Sequence, residues 1–122
     1  MGRLTQPRIA TAFRGRRFGD LRDTQVQVDW SDGTTTDLHH VVRHSPDGLE
    51  WGYMGSGPHD LALSLLAACA GREDAFPIAT VLAVRDQLVA KLEGDLWELP
   101  ASRILDVAAG AMAHLRVPRR SA

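Results

Sequence analysis

The chain has one cysteine, one tyrosine and one lysine, and no long apolar run. Each scarcity excludes something. Cys69 sits alone in an apolar stretch, so no disulfide framework is available. A bilayer-spanning helix needs roughly 20 consecutive apolar residues, and no segment approaches that. The opening Met1-Gly-Arg-Leu-Thr-Gln-Pro-Arg8 lacks the apolar segment of a secretory signal. A cytoplasmic protein with no membrane partner is the expectation. Net charge is only −1, so no global field holds the chain on nucleic acid.

What remains is ordinary for a globular domain. With 122 residues, 44% hydrophobic and 24% charged, residues 1–122 suffice for one domain with a real core. Residues 1–7 and 117–122 are expected to be flexible tails. The charge is uneven, however. Six arginines crowd the first 22 residues against a single acid, Asp20. Arginine forks onto phosphate and carboxylate better than lysine does, and Arg14 and Arg17 lie deep enough to contact a ligand.

The pattern along the chain predicts an α+β fold, with a small N-terminal antiparallel sheet of three to four strands and about three helices packed on it. Arg8 to Gly15 fits a first strand. Gln25 to Trp30 alternates cleanly, with Val26, Val28 and Trp30 on one face. Ser31-Asp-Gly-Thr34 is a hairpin signal, and Thr35 to Val42 is the returning strand. Leu49 to Tyr53 offers a fourth. His59 to Ala70 is apolar nearly all round, which predicts a helix buried inside the domain or between subunits. Gly71 stops it, and Pro77 opens an amphipathic helix to about Leu92. Gly94 to Leu99 reads as a turn, and Ala101 to Leu115 as a last helix with Ile104, Leu105, Ala108, Ala111, Met112 and Leu115 on one stripe.

The chemistry concentrates between His44 and Leu66. Gly48, Gly52, Gly55 and Gly57 mark backbone that turns tightly or is closely approached, and Pro58 suits the start of a helix. Amides of Ser56, Gly57 and His59 at that N-terminus, with the Ser56 hydroxyl and the turn at Gly55, form a candidate anion cradle. Asp60 opposes it, because a carboxylate in the first turn already complements the helix dipole. Trp51 and Tyr53, two apart, would project from one face of a strand and could stack a base. His44 is a candidate hydrogen-bonding ligand contact.

Other chemistries fit less well. The turn lacks the Lys-Ser/Thr pair of a P-loop and the third glycine of a dinucleotide fingerprint. Ser56 sits in Gly-Ser-Gly-Pro rather than the Gly-x-Ser-x-Gly of a nucleophile elbow. His40 and His44 on a strand would stand roughly 13 Å apart, too far to share one ion. Neither a metal nor a cofactor is expected, and no catalytic set is recognisable.

His44-Ser45-Pro46, Gly48, Trp51-Gly52-Tyr53, Gly55-Ser56-Gly57-Pro58 and Leu61-Ala62 resemble the motif of an uncharacterised domain family common in phages, plasmids and other mobile elements. Phe13 to Arg17 resembles that family's N-terminal strand less specifically. The last 50 residues match only in helical character and in Trp97. Leu49 stands where an aromatic is usual, and Met54 where glycine is usual. More distantly, the architecture is similar to phage anti-Thoeris sponges. That resemblance implies a non-enzymatic binder in the host bacterial cytosol that sequesters a nucleotide signal, and the apolar helix from His59 suggests a homo-oligomer. The alternative is a protein-binding inhibitor acting on a host defence complex.

Overall fold

The computed structural model describes residues 7–43 and 48–116. It opens with β1 (Ala10–Phe18), which pairs antiparallel with β2 (Asp23–Trp30). The predicted hairpin follows, closed by the Trp30 amide on the Thr34 carbonyl at 2.8 Å. Three helices come later, as the pattern foresaw: α1 (Ser56–Ala70), α2 (Ile78–Gln87) and α3 (Ala101–Arg116). The fold is α+β, with one four-stranded antiparallel sheet.

Two strands differ from the pattern. The returning strand β3 covers only Thr35–Asp37, not Thr35 to Val42. Its last ladder bond is Leu38 N–H to the Val26 carbonyl. Beyond it, the Val41 amide donates to Ser64 Oγ at 2.9 Å and the Arg43 amide to Asp60 Oδ2 at 3.1 Å. Asp60 and Ser64 are one turn apart on α1 and both fully buried. The helix thus supplies the acceptors that a neighbouring strand would otherwise provide, and the segment leaves the sheet.

The fourth strand is β4 (Leu96–Pro100), the stretch expected to turn, while Leu49 to Tyr53 forms no strand. Sheet order is β3-β2-β1-β4. β4 alternates, with Trp97 and Leu99 buried and Leu96 and Glu98 exposed. Its partner positions on β1 are Gly15 opposite Trp97 and Phe13 opposite Leu99. A Cβ on Gly15 would fall inside the Trp97 indole, at Cε2, Cζ2 and Nε1. Only glycine lets the ring lie flat on the strand. Trp51 then meets Trp97 edge-on, ring centroids 5.5 Å apart.

The core lies between the inner sheet face and the helices. Phe13, Val26 and Val28 meet Leu61, Leu65 and Leu66 of α1, with Val81, Val84 and Ile104 behind. Burying each large apolar side chain contributes roughly 1.5–3 kcal/mol. Helix α1 is covered on nearly every side by this one chain, so its apolar sequence needs no second subunit. Two expected stripe members face outward instead: Ile78 opens α2 exposed, and Leu105 of α3 is partly exposed. Gly71, left-handed at φ 81°, ends α1, and Pro77 caps α2. That helix stops at Gln87, and a short 3-10 turn covers Val89–Lys91. Of the expected tails, residues 1–6 and 117–122 lie outside the described residues.

Cys69 is half-buried and unpaired, and burial pushes its thiol pKa up to about 11. Its thiolate is therefore scarce at neutral pH. We expect the native protein to react with a disulfide reagent at pH 8 about two orders of magnitude more slowly than the urea-unfolded chain. Equal rates would show that Cys69 is not shielded. Among the described residues no helix is long and apolar enough to cross a membrane.

Candidate functional site

The motif loop is organised by Arg17. Its guanidinium, only 12% exposed, reaches Glu50 Oε1 at 2.6 Å and Asp95 Oδ1 at 3.0 Å. It also lies 4.4 Å from the centre of the Trp51 ring. Trp51 is buried, and its indole N–H donates to the Gly94 carbonyl at 2.9 Å. One arginine thus ties the start of the motif loop to the approach to β4. Glu50 holds the Arg17 pKa above the ordinary arginine value; burial opposes this and Asp95 adds to it. Asp95 is correspondingly held below the usual carboxylate range, by Arg17 and then by Arg22.

These contacts change the roles expected of two residues. Arg17 is committed to internal acids, and Trp51 to the core beneath it. Trp51 and Tyr53 do not share a strand face, because Gly52 turns the chain at φ 89° with its amide on the Val89 carbonyl. Tyr53 points outward, 51% exposed. Its ring crosses the start of α1: a Cβ on Gly55 would lie 2.7 Å from Tyr53 Cε2, and one on Gly57 3.2 Å from its hydroxyl. Gly55 therefore makes room for the tyrosine ring, while at Gly57 the tightest neighbour is Glu50, whose Cβ would lie 2.8 Å away.

Gly55 caps α1 in extended conformation, and no side chain caps that end. The Ser56 and Gly57 amides are the first of the helix. The His59 amide is not available to the cradle, since it donates to the Gly55 carbonyl at 2.9 Å. Asp60 is not at the helix mouth either. The first turn of α1 carries no acidic residue, and the Asp60 side chain is fully buried. There it accepts from Arg43 N–H and lies 3.0 Å from His40 Nε2. The repulsion that Asp60 was expected to offer an anion is thus turned into the interior.

A cleft of about 770 Å³ opens between this loop and the sheet. Tyr53, Ser56, Glu50 and His40 line it, with Gln25 and Asp37 at the sheet edge. Phe18, Leu21 and Arg22 rim it, with Leu21 87% exposed. The volume suits a small-molecule ligand. Of the expected contacts, the structure brings Tyr53 and Ser56 to this cleft, with Gly55 and Gly57 shaping its helix end. Arg14 does not line it: it sits on the outer sheet face, 2.6 Å from Asp29 Oδ1. His59 lines a smaller groove with Ile78, Leu82 and Arg85. His44 lies outside the described residues.

Sequence reasoning missed Gln25 and Asp37, and weighed His40 only as a metal ligand. One signal was legible for His40. Asp60 and Ser64 are the only polar side chains between Asp60 and Cys69, and polar residues four apart on such a helix must find partners. Among the described residues no group of three or more His, Cys, Asp or Glu is placed to hold a metal ion.

Sheet, helices and motif loop thus define a small α+β protein with a polar cleft beside a glycine-rich helix start. The chain belongs to a family of unknown function, DUF6166, whose model matches residues 13–110. No curated protein and no solved structure matches it significantly.

Proposed function

We propose that the protein binds a small phosphorylated ligand in this cleft without turning it over, and that the ligand is a nucleotide. The observation that carries the reading is the polarity of the cleft. At one side the uncapped start of α1 offers the Ser56 amide and hydroxyl, the positive end of a helix dipole. Glu50 and His40 also line the cleft, the His40 ring with its Nε2 3.0 Å from Asp60 Oδ2. A molecule with an anionic end matches the helix start, and the half-exposed Tyr53 offers a ring face for a base. The resemblance to phage sponges supports a setting in which a nucleotide signal of anti-phage immunity is sequestered.

The test is thermal unfolding with linear and cyclic nucleotides, cyclic ADP-ribose isomers included. A ligand at 100 times its Kd adds about 2.7 kcal/mol, several degrees in Tm for a domain of this size. We expect such a shift, with the ligand recovered unchanged and the shift lost in Ser56→Asp. Altered ligand would instead make the protein an enzyme. A second reading, docking onto a host defence protein, is favoured by one observation: Leu21 and Phe18 stand exposed beside Tyr53 at the rim. A flat panel together with a stoichiometric complex lost on Leu21→Asp would establish it.

A further inference from the structure

We propose that the free edge of β4 pairs with the same edge of a second copy of this chain, joining the two sheets across a two-fold axis. β4 ends the sheet order, and β1 is its neighbour on one side only. One bond shows which of its backbone groups are taken. The Arg17 amide donates to the Asp95 carbonyl at 2.8 Å, in the register that also sets Gly15 opposite Trp97 and Phe13 opposite Leu99. Hydrogen-bonded pairs recur at every second residue of an antiparallel ladder, so Asp95, Trp97 and Leu99 turn their N–H and C=O groups to β1. Leu96 and Glu98 turn theirs the other way, to an edge that no strand among the described residues covers. Leu96 is 76% exposed there. Open main-chain groups in a row are a template for another strand.

The occupant is a second copy because the edge is complementary to itself. With the axis at Trp97, Leu96 stands opposite Glu98 of the partner subunit, and every outward amide of the two residues meets an outward carbonyl. Moving the axis to Glu98 would set Leu96 opposite Pro100, which has no amide to give. Moving it to Leu96 would set Glu98 opposite Gly94, whose φ of 80° lies outside strand geometry. One register is thus selected. The side chains agree with it. Leu96 and Glu98 share the outer sheet face with Arg16 and Arg14, their opposites on β1. Among the described residues neither Arg16 nor Glu98 has an ion-pair partner: Arg16 Nε donates to Gln25 Oε1 at 2.8 Å, and its guanidinium lies over the Phe18 ring. In the joined sheets Arg16, Leu96 and the partner's Glu98 form one row. Its ends are two strand spacings apart, roughly 10 Å between α-carbons, which an arginine and a glutamate span between them. The two exposed leucines stand diagonally across the axis, within reach of each other. On the inner face the Trp97 ring lies back over Gly15, clear of the axis.

A contact through one short strand is small beside the interface of a stable complex, so the dimer is a weak one, and sedimentation is followed up to about 1 mM chain. We expect the mass to rise with concentration from 13.3 kDa towards twice that. Amide exchange reports the register: Trp97 and Leu99 protected at every concentration, Leu96 and Glu98 only as the dimer forms. Glu98→Arg and Arg16→Glu should each weaken self-association about tenfold by setting like charges together, and mixing the two variants should restore it as a heterodimer. Leu96→Pro should abolish association with the circular dichroism of the fold unchanged, because that amide serves only the outer edge. A native chain that stays monomeric throughout the range would overturn the proposal. So would a dimer in which Leu96 and Glu98 exchange freely, or in which the mixed variants fail to pair, since its interface then lies elsewhere.

Discussion

Arg17→Ala is expected to lower stability by about 3 kcal/mol, roughly 10 °C in Tm. The guanidinium makes a 2.6 Å contact to Glu50 and a 3.0 Å contact to Asp95, and it covers the Trp51 ring. Removing it leaves Glu50 without its guanidinium and Asp95 with Arg22 alone, at 3.2 Å, and uncovers the Trp51 ring. Both carboxylates retain some access to water, which keeps the loss at the lower end of the range for broken buried pairs. Arg17→Lys should recover only part of the loss, because an ammonium cannot fork between Glu50 and Asp95 while lying flat on an indole. Urea denaturation of the two variants measures this. Native-like stability of Arg17→Ala would show that the network contributes nothing net.

Gly15→Ala should cost a similar amount, about 3 kcal/mol, by a different mechanism. The added methyl would occupy the position of the Trp97 ring, and Trp97 is itself held edge-on by Trp51. Strand geometry would tolerate alanine, so the whole penalty is overpacking. That makes a rescue possible. Combining Gly15→Ala with Trp97→Leu should cost less than the sum of the two single changes, since the smaller side chain leaves room for the methyl. Strict additivity of the urea midpoints would place the strain elsewhere.

Much of the fold was legible because local signals and tertiary packing agree. The β1–β2 ribbon follows from the Val26, Val28, Trp30 alternation and the Asp-Gly turn. The helices follow from their apolar runs, with Gly71 and Pro77 as punctuation. β4 was hidden because its alternation spans only five residues beside Gly94, a turn signal that outweighed Trp97 and Leu99. Leu49 to Tyr53 misled for the opposite reason: two aromatics at strand spacing flank a glycine that bends the chain.

The site was legible in position and less so in its members. The glycine-rich start of α1 does border the cleft, and Tyr53 and Ser56 reach it. Trp51 and Arg17 carried the right residue types for a ligand, but each is satisfied internally by partners that are remote in sequence. Arg17 and Asp95 are 78 positions apart, a pairing no local pattern reveals. His40 was weighed only as a metal ligand, because its buried carboxylate partner lies on another element.

The placement of β4 also governs the order in which the molecule can form. β1 occupies an inner position, yet one of its flanks stays empty until a strand from near the far end arrives. The first hairpin can close locally and early, within microseconds by the standards of isolated hairpins. Trp97 and Asp95, which seat on Gly15 and Arg17, are synthesised only after two of the three helices. A nascent chain stopping short of Leu96 would carry an open strand edge on β1, a sticky and non-native state. Completion of the motif loop, whose Trp51 donates to Gly94 and meets Trp97, is thereby deferred until β4 has joined β1.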